Sequence, residues 1–195
     1  TGTYGGFMVF AGTWGISYLV HVYEIQVAQA SLFMVIAYLG YMVGCPAVGF
    51  LSDRYQTRRL PAIILTSLSC LVWFTLIAWP GGPVPLALFY LLSPLLGFTT
   101  AVNVLSFPMA RSVSPPGFTG IVTSVVNIGV FLGMAVLQPL FGYFLDLGWQ
   151  GMLVEGARVY PLSAYQLGFL SCLVFALVAL VASIRFREKP VPKSQ

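Results

Sequence analysis

Six continuously apolar runs occupy most of this 195-residue chain. A helix needs roughly 20 residues to cross the hydrocarbon of a bilayer, and each run is about that long or longer. They lie near 5–26, 29–52, 61–79, 85–110, 118–145 and 165–184. Strands of a membrane barrel alternate in polarity over about ten residues, and these runs do not alternate, so helices are expected. Pro46, Pro94, Pro108 and Pro139 fall inside runs. Proline is tolerated there because neighbouring groups satisfy the freed carbonyls, and kinks or tilt are expected. The breaks are short. Gln26 to Gln29, Asp53 to Pro61, the turn Trp79-Pro80-Gly81-Gly82-Pro83, and Arg111 to Gly117 separate the first five runs. Asp146 to Ala164 is the longest loop, and a basic tail, 185–195, follows the sixth run.

Charge is scarce and unevenly placed. Charged residues make up 7% of the chain and apolar residues 58%, against a usual charged share of about 25%. So few charges could not cover the surface of a soluble domain of this size, so the chain reads as an integral membrane protein. Four of the charges fall between Asp53 and Arg59, where the chain turns between two apolar runs. Six crossings place both termini on one side. Arg54, Arg58, Arg59, Arg111, Arg185, Arg187, Lys189 and Lys193 fall on that side and Arg158 on the other. That bias predicts cytoplasmic termini, and the cytoplasmic (inner) membrane is the expected location. Basic residues at span ends are orientation signals, so the net charge of +4 does not point to nucleic acid.

Cys45, Cys70 and Cys172 lie far apart in apolar surroundings, with no CxxC and no metal-ligand spacing. They read as small packing residues. No metal or cofactor is expected. GxSxG, HExxH and Walker loops are absent, so an enzyme or an ATP-driven pump is not expected. The chain opens at Thr1 and enters an apolar run within six residues, which reads as a fragment or a chain whose beginning was cut away.

The second run ends Pro46-Ala47-Val48-Gly49-Phe50-Leu51-Ser52-Asp53, and the fifth ends Pro139-Leu140-Phe141-Gly142-Tyr143-Phe144-Leu145-Asp146. Both read P-x-x-G, aromatic, apolar, x, D, at an offset of 93 positions. These runs point in opposite directions. Spans one to three and four to six are therefore expected to be inverted copies, a 3+3 arrangement found in secondary transporters. Shared preferences at helix ends are the competing explanation.

Gly49-x-Leu51-x-Asp53-Arg54 followed by Arg58-Arg59 resembles the loop signature of the major facilitator superfamily, G-x-L-x-D-R-x-G-R-R. That signature lies between the second and third helices of each six-helix half, as it does here. Gln56 stands where the family has its loop glycine, and Thr57 replaces one basic residue. Ser93 stands where the fourth helix of a first half often has arginine. The fifth run, with Gly129, Gly133, Pro139 and Gly142, looks like the family's eleventh helix. The resemblance implies an all-α, six-helix C-terminal half of a transporter. Its partners would be the bilayer, an N-terminal six-helix half and a small solute moved by alternating access. It also implies that Gly49, Asp53, Arg54, Arg58 and Arg59 form a cytoplasmic gating motif. A loop that only sets orientation is the plainer alternative. A stand-alone six-helix scaffold, homodimeric or not and without transport, is the alternative to the whole functional reading.

Asp53 ends a helix, where the dipole disfavours a carboxylate, and Arg54, Arg58 and Arg59 are close enough to compensate. Intramembrane polar residues are candidates for the solute path, although most serve helix packing. Thr13, Trp14, Ser17, Tyr18 and His21 recur on one side of the first span. Glu24 follows His21 by one turn, and a proton-coupling His21/Glu24 pair is one reading. An interfacial histidine beside a headgroup-level glutamate is the other. Asn103 and Ser106 in the fourth span, and Asn127 and Gln138 in the fifth, complete the cavity candidates. The GxxxG pairs Gly40/Gly44 and Gly129/Gly133 read as close helix packing.

Overall fold

The computed structural model describes residues 2–115, 117–154 and 156–186. It contains six helices long and apolar enough to span a membrane. They are α1 (Gly2–Tyr23), α2 (Val27–Arg54), α3 (Arg59–Ala78), α4 (Leu86–Val113), α5 (Thr119–Leu147) and α6 (Leu162–Arg185). Arg187, Lys189 and Lys193 of the expected basic tail lie outside the described residues. A hairpin, β1 (Leu153–Val154) with β2 (Ala157–Arg158), interrupts the long loop between α5 and α6.

Among the described residues, every arginine but Arg158 gathers at one end of the bundle. Arg54, Arg58, Arg59, Arg111 and Arg185 sit at the helix ends there, with the start of α1 beside them. We call this the charged end. Glu24, Asp146 and Arg158 lie at the opposite, hairpin end. The Trp79–Pro83 turn is also at that end, with Gly81 and Gly82 at positive φ.

Two helices depart from regular geometry. In α1 the turn Phe10–Trp14 is a π turn, closed by the Gly15 N–H on the Phe10 carbonyl. A Cβ on Gly15 would lie 2.5 Å from that carbonyl oxygen and 2.8 Å from Met34 Sδ, so glycine is what lets the wide turn close against α2. The fourth run, expected as one continuous span, breaks at Ala101–Val102 into Phe89–Thr100 and Asn103–Val113. There the N–H groups of Ala101, Val102, Val104 and Leu105 bond three residues back rather than four. Thr99 and Thr100 both donate their hydroxyls to the Leu96 carbonyl, at 3.0 and 2.8 Å. Such back-bonding bends a helix and here coincides with the break.

α4 is the central helix, 61% of its apolar window being buried, whereas α5 is the most peripheral at 17%. α2 packs along α4, α1 along α5 and α6, and α3 along α6. Toward the hairpin end the core is aromatic: Phe10, Tyr18, Phe33, Trp73, Phe89, Phe141, Tyr165 and Phe169 are all buried. Rings of this size bury large areas and favour the edge-to-face geometry seen here, as where Tyr18 meets Phe169 at 5.0 Å and 80°. A smaller cluster of Val48, Ala62, Leu65, Ala101, Val102 and Leu105 fills the charged end.

Candidate functional site

At the charged end α2 finishes at Arg54, and Gln56 takes the left-handed conformation with φ 51°. This is the position after a helix end where glycine is usual. The Gln56 Nε2 donates to the Asp53 carbonyl at 2.6 Å, offsetting part of the conformational cost. Gln56→Gly is expected to raise the thermal unfolding midpoint, with a net gain of about 1 kcal/mol or less, because relief of a left-handed residue is worth roughly 1–2 kcal/mol before the lost side-chain bond is subtracted. A midpoint below wild type would show that the hydrogen bond outweighs the strain.

Arg58 donates to the Pro108 carbonyl of α4 at 3.3 Å, and Arg59 to the Ile184 carbonyl of α6 at 2.7 Å. Cations belong at helix C-termini, and these two bind the loop to the ends of α4 and α6. Ser52 is buried and donates to the Thr57 carbonyl at 3.3 Å. Arg54 is exposed. Asp53 is exposed as well, and among the described residues its carboxylate makes no ion pair and accepts no hydrogen bond. The space around the Gly49 Cα is open, with no atom within 4 Å of where a Cβ would stand.

The stripe on α1 is split. Thr13 is exposed and its hydroxyl accepts from Gln138 Nε2 of α5 at 3.2 Å. Trp14 stacks on Phe141 at 6.0 Å, with Gly142 leaving room for the indole. Ser17 is half-buried. Tyr18 is fully buried against Phe89, Tyr165 and Phe169, and its hydroxyl lies 3.4 Å from that of Tyr23. Thr13 and Trp14 lie in the π turn, and Ser17, Tyr18 and His21 in the regular helix that follows it.

His21 does not bond Glu24. Tyr23 is the last helical residue, and Glu24 turns left-handed at φ 54° with its side chain exposed. Instead, the Tyr160 backbone N–H donates to His21 Nδ1 at 3.4 Å, and the Tyr165 hydroxyl lies 2.8 Å from the same nitrogen. An amide N–H can only donate, so Nδ1 accepts and the ring proton sits on Nε2. Around this point the hairpin loop is tied down. Arg158 pairs with Asp146 at 2.7 Å and lies 4.5 Å over the Trp149 ring, and the Tyr160 hydroxyl donates to Asp146 at 2.9 Å. The hydrogen bond that Arg158 donates to Asp146 pushes the Arg158 pKa up; burial, then Asp146, pushes the Tyr160 hydroxyl up. A cavity of about 560 Å³ lies beneath, lined in part by His21, Glu24, Gln150 and Tyr160. The sequence reading missed Asp146, Tyr160 and Tyr165 as partners; the concentration of Asp146, Arg158 and Tyr160 in the one long loop was the available signal.

Asn103 is buried and Ser106 half-buried, side by side on a second cavity of about 460 Å³ at the charged end. Asn127 is exposed on the outer face of α5 and bonds no described residue. Thus the structure joins Thr13 with Gln138 and Asn103 with Ser106, and leaves Asn127 and Asp53 facing outward.

Six apolar helices, two of them broken beside polar side chains, with a charged loop fastened across their ends, define a polytopic membrane protein of transporter type. The family model of the Major Facilitator Superfamily matches residues 2–195, and the chain belongs to that family of transporters. No curated protein and no solved structure matches it.

Proposed function

We propose that this chain is the C-terminal half of a secondary active transporter, which moves a small solute by rocking against an N-terminal six-helix half. The observation that carries this reading is the pairing of the two helix breaks. The offset of 93 that carries Gly49 onto Gly142 also carries Gly40 onto Gly133, and it brings the π turn of α1 within one turn of the break in α4. Gly5 of α1 packs on Gly133 of α5 much as Gly97 of α4 packs on Ala37 of α2, which supports a 3+3 inverted repeat. Interrupted helices at corresponding positions mark the solute path in such repeats. Thr13 and Gln138 are then cavity residues, and the exposed faces of α2 and α5, with Asn127, are where the other half docks. The segregation of arginines supports a charged end that faces the cytoplasm. Coupling to a proton would run through His21 with Tyr165, not through a His21/Glu24 pair.

The test uses the intact transporter, free of its native cysteines, in oriented vesicles. Cysteines at Thr13 and Asn127 are treated with membrane-impermeant maleimide from each side in turn. Alternating access predicts labelling of Thr13→Cys from both sides, with the ratio shifted by solute or gradient. Complete protection of Thr13→Cys from both sides would overturn the proposal.

A further inference from the structure

The hairpin between α5 and α6 is tied to itself and to its neighbours by different bonds. The Val159 N–H and the Trp149 indole N–H both donate to the Met152 carbonyl, each at 3.1 Å. Arg158 and the Tyr160 hydroxyl both reach Asp146, at the end of α5. Toward α1 the ties are fewer. Among the described residues, one hydrogen bond joins the hairpin loop to α1, from the Tyr160 N–H to His21 Nδ1 at 3.4 Å. The rings of Trp14 and Tyr160 also meet, at 6.5 Å and 83°. The cavity of about 560 Å³ is lined by Val20 and His21 of α1 and by Met152, Val159 and Tyr160 of the hairpin loop. The bond between His21 and Tyr160 therefore joins two of its walls.

An amide N–H only donates, and Nδ1 accepts only while its lone pair is free. A proton on Nδ1 turns two donors toward each other. The Tyr165 hydroxyl, 2.8 Å from the same nitrogen, can rotate and accept instead, but the amide cannot. The titratable and charged side chains around the ring are Tyr18 and Tyr23 of α1, Glu24 just past its end, Tyr165 of α6, and Tyr160 of the loop, with Asp146 and Arg158 one bond further. Of these, His21 alone is of a type that ordinarily titrates between about pH 5 and pH 8. We propose that His21 is a pH-dependent latch: its neutral ring holds the hairpin against α1 and narrows the cavity between them, and its protonated ring lets go. The docked share is full above the histidine range and falls as pH drops through it. Arg158 with Asp146 keeps the hairpin tied to α5, so release moves it off α1 without unfolding it. The latch rests on contacts within this chain and does not depend on the two-half transport reading.

The test uses the intact transporter, free of its native cysteines, in nanodiscs. Nitroxides are attached to Leu153→Cys, exposed on β1, and to Gln26→Cys, exposed just past the end of α1. Double electron–electron resonance then reads the separation of hairpin and helix. From about pH 8 to about pH 5.5 the ratio of long to short distances should rise about tenfold, a usual consequence of one lost hydrogen bond that leaves a buried donor unpaired. His21→Asn offers an amide oxygen near the place of Nδ1 and does not titrate, so the short distance should hold at both pH values. His21→Phe offers no acceptor, so the long distance should dominate at both. The titration with His21 in place decides by itself if either variant fails to fold. A distance distribution unchanged by pH, a pH response retained in His21→Asn or His21→Phe, or a hairpin docked in His21→Phe would each overturn the proposal. No solute or gradient enters the measurement, so failure here and failure of the transport reading are separately visible.

Discussion

Gly97→Ala is expected to destabilise the bundle by about 3 kcal/mol or more, at or beyond the upper end of the usual cost of overpacking. The cause is a backbone meeting a backbone. A Cβ on Gly97 would fall inside the van der Waals shell of the Ala37 carbonyl oxygen and 2.8 Å from the Tyr41 nitrogen. Neither atom can swing away as a side chain would, so α4 must separate from α2. The same seam holds Gly40, whose Cβ would meet the Pro94 backbone, and Gly44, whose Cβ would lie 2.8 Å from the Ala101 Cβ. In lipid, helices associate by close packing rather than by burial from water, so loss of this approach removes much of what holds α2 in place. Thermal unfolding in detergent, followed by size-exclusion profile, reads the effect. Gly120→Ala is the matched control: no atom lies within 4 Å of its Cβ position, and a helical alanine there should be neutral or slightly stabilising. Because Gly40 and Gly97 share one seam, the double substitution should cost less than the sum. A Gly97→Ala midpoint equal to that of Gly120→Ala would mean that α2 and α4 do not meet as described.

Asp53→Asn is expected to lower uptake by the intact transporter about tenfold or more while leaving membrane insertion intact and the thermal midpoint unchanged or slightly raised. Asp53 sits at the C-terminal end of α2, where the helix dipole opposes a negative charge, worth typically 0.3–1 kcal/mol. Its carboxylate is exposed and has no partner among the described residues, so neutralising it should not weaken this half by itself. The arginines expected to compensate it are directed elsewhere, Arg58 to α4 and Arg59 to α6. A carboxylate in an unfavourable place, without a partner among the described residues, is understandable when its partner belongs to the other half and is met in one state of the cycle. Arg59→Gln should behave differently, lowering the thermal midpoint as well, because its bond to Ile184 ties the loop to α6. Normal uptake by Asp53→Asn would remove the gating role and leave the loop as an orientation signal.

How far the chain could be read in advance differs from one feature to the next. The six helices were legible because each apolar run is contiguous. The loop signature was legible because its residues are neighbours in the chain. The pairing of His21 with Glu24 was drawn from helical spacing and failed because the helix ends at Tyr23. The stripe from Thr13 to His21 was drawn on one unbroken α-helix, whereas Thr13 and Trp14 lie in a π turn and only Ser17, Tyr18 and His21 in the regular helix. The fourth run carried Pro94 and Pro108 as visible warnings, yet the break falls at Ala101–Val102, between them.

By itself the sequence determined that the chain lives in a membrane, how many times it crosses, and which helix ends carry the positive charge. Those properties follow from transfer energies summed over local windows, so no knowledge of neighbours is needed. Only the tertiary structure decided which polar groups meet. Thr13 with Gln138, His21 with Tyr165 and Arg59 with Ile184 are each more than a hundred residues apart, and their distances depend on how closely helices pack at positions such as Gly97. It likewise left Asn103 facing a cavity and Asp53 facing out, because a polar atom's surroundings are set by the helices beside it and not by its place in the chain.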